Sequence, residues 1–432
     1  MKKLIFCLAI INLSLMSQWV EQNVIPHPPA INSVYAFSSD VGFAAADSGK
    51  ILRTSNAGVN WTTNTVVLFI PNSVRSVQAT TLDTVYCICN APGNGRIFKS
   101  VNSGSTWTLN FNRSGGVFYD LKFINSNTGY VYGQPSAMLW FIAKTTNAGL
   151  TWDSTLTRPP ADNPFDTGFP NALHLIFTGQ INIWFGTSAQ KIFYSPNGGL
   201  GWIGQPTIGS PNIYSINFLD QQNGFAGGTL PFRTNNGGTF WQQQPYQNTG
   251  PFYSFINSGG KIWYSSGLNI FYSTNGGINF ILQHTSPGTA PYKHISITFT
   301  ASDNQMSVLT GWGVTSDGII SRYDEFVGIK QIGTNIPENF KLEQNYPNPF
   351  NPVTQFRFEI PLSRGVDTEG GQGVSIKVYD ILGNEITTLV NSQLKPGIYK
   401  TEWDASNYPS GIYFYKLTVQ GFSETKKMIL IK

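Results

Sequence analysis

The sequence predicts an all-β protein, a seven-bladed β-propeller followed by a small Ig-like β-sandwich. Three observations lead to this fold class. A turn motif recurs six times along the chain, with a period of about 40 to 50 residues that is typical of repeat architectures. Short alternating strands flank each copy, without a helical period. Beyond residue 340 a second set of short strands follows a segment rich in Pro and Asn.

The first residues predict export of the protein. Residues 1–17 contain two lysines, a short apolar run and then small residues. A run this short does not cross the roughly 30 Å hydrocarbon core of a bilayer, so we predict a cleaved signal peptide over 1–17. No later segment predicts a transmembrane span in the mature chain. Alternatives are a buried N-terminal strand, or a lipid anchor on Cys7, which lies too close to Lys3 for a normal apolar region.

The composition excludes one class of partner. Charged residues make up only 12% of the chain, and the net charge of +4 is spread along it without runs of Lys or Arg. Nucleic-acid binding needs clustered cations for the phosphates, so we predict no nucleic-acid partner. Cys87 and Cys89 lie two residues apart on a predicted strand, where side chains share a face. We expect small buried residues there rather than a redox pair.

The turn motif has the pattern Ser/Thr-x-Asn-x-Gly-x-x-aromatic and joins two strands in every copy. The hydroxyl and the Asn side chain can bond backbone groups inside the turn, and the Gly permits positive φ. We expect the aromatic side chain to fold back and cover the hairpin. The aromatic residues of the six turn motifs are Trp61, Trp107, Trp152, Trp202, Trp241 and Phe280.

Two further strand-like runs precede each turn motif, so each repeat supplies the four strands of a propeller blade. The last repeat, residues 294–323, supplies only three. The mature chain begins with a Trp and a polar strand, as each segment after a turn motif does. We therefore predict a propeller over 18–326 in which residues 18–25 close the last blade and Trp19 takes the place of the turn-motif aromatic. Closure removes an exposed sheet edge.

The repeats resemble Asp-box (BNR) propellers, a group that includes sialidases, sortilin-type receptors, xyloglucan hydrolases and photosystem II assembly-factor-like proteins. The third position is Asn in all six copies where that family has Asp. The resemblance therefore gives no reason to expect a metal at the turns, and we predict no cofactor.

A linker is predicted over 327–339, and a β-sandwich of short strands over 340–432. Its segments "NYPNPFNP", "VYDILGNEI" and "YPSGIYFYKL" resemble the type A C-terminal sorting domain of the type IX secretion system. The resemblance implies a Gram-negative bacterium, Sec export, and the type IX machinery as a partner; an adhesive Ig-like domain is the alternative. The positions characteristic of that family are Gly397, Tyr399, Gly411, Tyr413, Lys426 and Lys427.

The sequence contains no convincing catalytic set. No glutamate occurs between Glu21 and Glu325, which excludes the Tyr/Glu chemistry of sialidases. The four histidines lack metal-ligand spacing. Most aspartates, Asp120 among them, lie beside turn residues, where side chains bond the local backbone. A hydrolase would need two facing aspartates.

The long step between the third and fourth turn motifs predicts a loop on the face opposite these motifs, where propellers bind ligands. A solvated loop packed on itself is the alternative. We expect a secreted or surface-bound, non-enzymatic propeller that binds a protein, peptide or glycan, with an aspartate-pair glycan hydrolase as the alternative. The candidate rim residues are Trp140, Arg158, Asp162, Phe165, Asp166 and Phe169.

Overall fold

The computed structural model describes all residues except 1–18, 23, 25–26, 67–72, 248–249, 302–305, 334, 363–370, 406–407 and 420. The predicted signal peptide lies outside the described residues. Within them, regular structure consists of 34 β-strands, which confirms the all-β class. None of the described residues form a helix long and apolar enough to cross a membrane. The chain divides into two compact units, a propeller unit of residues 19–300 with 309–324, and a second unit that includes 325–432.

The strands follow one another in chain order, with β1 (Val20–Glu21) preceding the first blade. Blade 1 contains β2 (Ile31–Ala36), β3 (Gly42–Ala46), β4 (Lys50–Thr54) and β5 (Thr62–Thr65), and blade 2 contains β6 (Ser73–Ala79), β7 (Val85–Asn90), β8 (Asn94–Ser100) and β9 (Thr108–Ser114). Blade 3 contains β10 (Phe118–Phe123), β11 (Gly129–Ser136) and β12 (Leu139–Thr145), and blade 4 contains β13 (Gly168–Phe177), β14 (Ile181–Thr187), β15 (Lys191–Ser195) and β16 (Ile203–Pro206). Blade 5 contains β17 (Ile213–Phe218), β18 (Gly224–Gly228), β19 (Pro231–Thr234) and β20 (Gln242–Gln243), and blade 6 contains β21 (Phe252–Ser258), β22 (Lys261–Ser266), β23 (Asn269–Ser273) and β24 (Ile281–Thr285). Blade 7 contains β25 (Tyr292–Ala301), β26 (Met306–Thr315) and the start of β27 (Ile320–Gly333).

Each blade is an antiparallel sheet whose strands pair in sequence order. The fourth strand of blade 3 is reduced to two isolated bridges to β12, Lys144 with Asp153 and Leu139 with Pro160. In blade 7 the outer position is taken by β1, in which Val20 pairs with Arg322 and Glu21 with Ser321. Trp19 beside it is 2% exposed. The N-terminal segment therefore supplies the strand that the last repeat lacks, and the fold class predicted from the sequence is confirmed.

All six turn motifs fold in the same way. In the third, the Thr145 hydroxyl donates to Asn147 Oδ1 (3.0 Å) and accepts the Gly149 N–H (2.9 Å). Asn147 Oδ1 also accepts the N–H of Thr151 at 2.9 Å. Two consecutive residues, Ala148 and Gly149, have positive φ, of 56° and 77°. The hydroxyl and the amide thus fix a left-handed pair of residues that would otherwise be strained.

The turn-motif aromatics pack between blades rather than only on their own hairpin. Trp61 of blade 1 makes an edge contact with Trp312 of blade 7 at 5.9 Å. Trp152 of blade 3 stacks on Phe111 of blade 2, with ring centroids 5.8 Å apart. The aromatic residue therefore joins its blade to the preceding one, a role that the sequence analysis did not assign to it.

The inner strands are tied together by side chains. Asp120 Oδ2 on β10 accepts the N–H of Leu173 on β13 at 3.2 Å. His294 Nδ1 on β25 accepts the N–H of Val34 on β2 at 3.1 Å. In each case the acceptor belongs to the preceding blade and the donor to the free edge of the next inner strand. These bonds satisfy edge N–H groups that strand pairing leaves open.

The expectation that Asp120 bonds the local backbone beside a turn was too narrow. Its carboxylate is fully buried and also accepts the Ser76 hydroxyl of blade 2 at 2.7 Å. Burial raises the pKa of Asp120, because the charged form loses hydration. Cys87 and Cys89 are free, buried thiols packed in the core between blades 1 and 2, as the sequence predicted.

The C-terminal unit is a two-sheet sandwich. Its strands are β28 (Lys341–Leu342), β29 (Val353–Ile360), β30 (Gln372–Tyr379), β31 (Glu385–Leu394), β32 (Gly397–Asp404), β33 (Gly411–Val419) and β34 (Phe422–Leu430). One sheet has the order β31-β30-β33-β34, and the other contains β28, β29 and β32. The predicted linker was 327–339; residues 329–333 of that range instead form the end of β27 and pair with β32.

The two "GIY" segments of the sandwich form matching corners. Tyr399 donates its hydroxyl to the carbonyl of Lys395 and Tyr413 donates to that of Pro409, both at 2.7 Å. A buried Tyr that bonds the backbone a few residues upstream is a recurrent corner of Ig-like sandwiches. This geometry gives a structural reason for the two tyrosines in the sequence motif.

Candidate ligand-binding site

The inner strands carry a bulge near their first residue. The β2–β3 register shifts between Ile31 and Ser33, which leaves Asn32 as the extra residue. The same shift occurs in β6, β10, β17 and β21, and a wider one in β13. Because inner strands begin at the edge opposite the turn motifs, the bulges lie around the channel mouth on that face. The single bulged residues are Asn32, Arg75, Tyr119, Tyr214 and Tyr253.

A cavity of about 280 Å³ lies among these bulges. Asn32 belongs to blade 1 and Phe169 to blade 4, so residues of blades that are not neighbours meet in it. The cavity must therefore lie on the propeller axis, at the channel mouth. Strand β13 approaches both β2 and β6, which brings its wide bulge into the channel. The cavity is lined by Asn32, Phe169, Pro170, Asn171, Tyr214, Tyr253 and Lys293.

Three aromatic rings and one ammonium form a continuous arc, which we call the channel-mouth arc. Phe169 meets Tyr214 edge to face at 4.7 Å between centroids, and Tyr214 lies 4.9 Å from Tyr253. The Lys293 ammonium sits over the Tyr253 ring, 4.0 Å from its centroid. Burial raises the pKa of both tyrosines and lowers that of Lys293. The arc offers apolar surface beside one positive charge.

Arg75 and Tyr119 extend the bulge positions on the other side of the channel. Burial raises the pKa of Tyr119, and the Arg75 charge opposes that shift, so the two side chains are near each other. The single-residue bulges thus include a cation but no carboxylate. Carboxylates lie close to these positions as well: Asp47 Oδ1 accepts the Asn32 amide at 2.9 Å, and the Asp166 charge acts on Tyr119.

The structure does not bring the six candidate rim residues together. Trp140 was wrong as a rim residue: it is 0% exposed and packs on Phe185 inside the blade 3–4 core. Its indole belongs to an inward-facing position of β12. Phe165 is 85% exposed at the loop tip, and Arg158 is half-buried beside Arg113. Of the six, only Phe169 lines the cavity.

The two aspartates of the loop have structural partners. Asp166 is buried, and its Oδ2 accepts the N–H groups of Asp162 and Asn163 at 2.9 and 3.1 Å. Asp162 is exposed and forms an ion pair of 2.6 Å with Lys191. One carboxylate therefore holds the turn closed, and the other is neutralised on the surface. Neither lines the cavity.

Sequence reasoning missed Asn32, Asn171, Tyr214, Tyr253 and Lys293. The signal was the second residue of each inner strand, as in "IYSINF", "FYSFIN" and "YKHISI". Side chains there break the alternation of buried and exposed residues because the strand bulges. Aligning the repeats on this position would have collected most of the site.

The remaining titratable groups that the structure describes serve structural roles in the cases of His174 and His294. Among the described residues, no three His, Cys, Asp or Glu side chains are placed to hold a metal ion. His174 and His294 accept backbone N–H groups between inner strands, and burial lowers the pKa of each to about 3. They are neutral structural acceptors.

Comparison with known proteins assigns the C-terminal unit and the propeller fold separately. Residues 344–432 match the secretion system C-terminal sorting domain, which supports secretion to the cell surface and an interaction of this unit with secretion machinery. No curated protein matches the chain.

Solved structures resemble the propeller at low sequence identity. YCF48 bound to D1 peptide has a TM-score of 0.56 at 13% identity, covering 71% of this chain and 97% of that one. YCF48 from Cyanidioschyzon merolae has a TM-score of 0.54 at 14% identity, with coverages of 71% and 98%. An ancestral GH74 enzyme has a TM-score of 0.53 at 12% identity, with coverages of 94% and 63%. At these identities the likeness concerns the fold alone.

Proposed function

We propose that this protein is a non-enzymatic binding protein, exported through the type IX secretion machinery, which holds an extracellular protein, peptide or glycan at its channel mouth. The observation that carries the proposal is the channel-mouth arc. The seven residues that line the cavity come from five blades and converge on one space, and they include no pair of carboxylates. Concave aromatic surface with a few polar groups is the usual composition of a ligand site.

The match of residues 344–432 to a sorting domain supports the export part of the proposal. A propeller of similar fold is YCF48 bound to D1 peptide, which makes a peptide ligand compatible with this architecture. The signal peptide predicted over 1–17 would deliver the chain to the first membrane.

The alternative is a glycan hydrolase that uses two aspartates. A fold shared with an ancestral GH74 enzyme is the observation that keeps this alternative open. Against it, the aspartate pair of the long loop is occupied: Asp162 pairs with Lys191, and Asp166 bonds two backbone N–H groups. A hydrolytic acid needs a free carboxyl group beside the substrate.

An array of glycans, peptides and extracellular proteins, probed with the purified full-length chain, tests the proposal. Tyr253→Ala removes a ring from the middle of the arc and should lower affinity for any retained ligand at least about tenfold, as loss of an aromatic anchor does. Phe165→Ala is the matched control, because Phe165 is exposed outside the cavity. It should bind as the wild type does.

If a ligand still binds to Tyr253→Ala, or no longer binds to Phe165→Ala, then it binds outside the cavity and the proposal is wrong. The hydrolase alternative is tested on xyloglucan and related oligosaccharides. Release of new reducing ends that stops in Asp162→Asn would favour that alternative.

A further inference from the structure

One cavity-lining side chain has an unused hydrogen-bonding atom. Asn171 is only 7% exposed, and its Oδ1 has no hydrogen-bond partner among the described residues. Its φ of 69° is left-handed, a conformation that Asn tolerates better than most residues. A buried acceptor without a donor is uncommon in native structures and costs free energy. A ligand that donates an N–H group there would remove this cost.

Lys293 supplies the second unused group. Its ammonium lies on the Tyr253 ring, and none of the carboxylates that the structure describes forms an ion pair with it. The seven residues that line the cavity include no acid, and Asp47, a carboxylate that contacts one of them, already accepts hydrogen bonds from Asn32 and Ser73. A partly buried cation without an anion favours an anionic ligand.

The rings of the arc leave a poor platform for a sugar. Tyr214 contacts a ring on either side, Phe169 and Tyr253, and the Tyr253 ring also carries the Lys293 ammonium. A pyranose binds by lying flat on an open aromatic face. Among the described cavity residues, the groups without a partner include one buried amide acceptor and one cation, a pair that a peptide backbone and an acidic side chain complement.

We propose that the channel mouth binds an acidic residue of an extended peptide, whose carboxylate pairs with Lys293 Nζ and whose backbone N–H donates to Asn171 Oδ1. This inference rests on the proposed function and names its ligand class. The contact with Lys293 would be a charge-assisted hydrogen bond. The contact with Asn171 would give a buried acceptor the donor that it lacks. Phe169 and Tyr214 would pack against the neighbouring side chains of the peptide.

The experiment uses the full-length chain and an array of end-capped peptides, each synthesised with Glu or Asp and again with the matching Gln or Asn. We expect acidic peptides to bind about tenfold or more tightly than their amide counterparts. Lys293→Met, which keeps the aliphatic stem, should abolish that preference. Asn171→Gly keeps the left-handed backbone, removes the amide, and should weaken acidic and amide peptides alike.

Lys261→Met is the matched control, since Lys261 also lies over a tyrosine of blade 6, 5.7 Å from the Tyr272 centroid, but at the edge that carries the turn motifs. It should leave the preference intact. This inference would be overturned if binding depends on Tyr253 but acidic peptides bind no more tightly than their amide counterparts. It would also be overturned if the preference for acidic peptides survives in Lys293→Met. Either outcome would leave the proposed function standing. Retention of uronic-acid oligosaccharides instead of peptides would also overturn this inference. Absence of any ligand at the channel mouth would defeat both proposals.

Discussion

The indole Nε1 of Trp19 donates a 2.9 Å hydrogen bond to Oε1 of Gln283 on the outer strand of blade 6. The Trp152 indole makes the same kind of bond, at 2.9 Å, to Asn110 on the outer strand of blade 2. Trp19 therefore occupies, in blade 7, the place that a turn-motif tryptophan occupies in blade 3. Closure of the ring therefore depends on a contact between two residues that lie 264 positions apart in the sequence.

Replacing Trp19 should destabilise the propeller strongly. Trp19→Ala removes a 2% exposed indole, its bond to Gln283 and its contact with Tyr323, and a buried aromatic-to-alanine change costs about 3 to 5 kcal/mol. Chemical denaturation followed by tryptophan fluorescence measures this loss. Trp107→Ala is the control: Trp107 is half-buried and bonds within its own turn, at 3.0 Å to the Gly104 carbonyl. Equal losses in the two variants would show that ring closure contributes nothing of its own.

The buried hydroxyl that begins each turn motif should contribute more to the free energy of unfolding than the exposed hydroxyl of Thr151 does. Thr145→Val is nearly isosteric, but it deprives the Gly149 N–H and Asn147 of their partner. The expected loss is about 1 to 3 kcal/mol, the cost of leaving buried polar groups unsatisfied. Thr151→Val removes the acceptor of a solvent-exposed 2.9 Å bond from Asn147 Nδ2, which water can replace, and should change the free energy of unfolding by less than about 0.5 kcal/mol. A reversed order would contradict the assigned role of the hydroxyl.

Acid should destabilise the propeller through its inner-strand histidines. Burial lowers the pKa of His294 from 6.5 to about 3, so the unfolded chain takes up a proton at a pH where the folded one does not. Stability from this group is complete above pH 6.5 and falls as the pH drops toward about 3, by at most about 1.4 kcal/mol per pH unit. The buried Asp120 contributes with the opposite sign, because its pKa is raised.

Comparing wild type with His294→Gln cancels the Asp120 contribution. The glutamine can still accept the Val34 N–H, but it does not titrate. Urea denaturation at several pH values between about 4 and 7, the range in which the unfolded-state histidine gains its proton, should show a shallower pH dependence in the variant. Identical slopes would mean that His294 takes up its proton over the same pH range in the folded and the unfolded protein.

The repeated turn motif made the blades predictable, because its Asn, Gly and hydroxyl positions follow from local backbone chemistry. Trp19 was predictable for the same reason, since it stands before a polar strand as the turn-motif aromatics do. The site was not predictable in this way. Tyr214, Tyr253 and Lys293 converge because each lies at or beside the start of an inner strand, where bulges form, and a bulge depends on the register between strands rather than on local sequence. Trp140 failed for a related reason: its exposure was inferred from an adjacent loop, whereas β12 directs it inward.

The buried carboxylate of Asp120 limits how a propeller of this kind could change its number of blades. It takes one hydrogen bond from the blade before it and one from the blade after it. Deleting or duplicating a neighbouring repeat would bring a different inner strand alongside, and would leave a desolvated charge or an orphaned amide at the new junction. The repeats look interchangeable in sequence, but at their inner edges they are individually matched, so gain or loss of a single unit would require compensating changes in the units beside it.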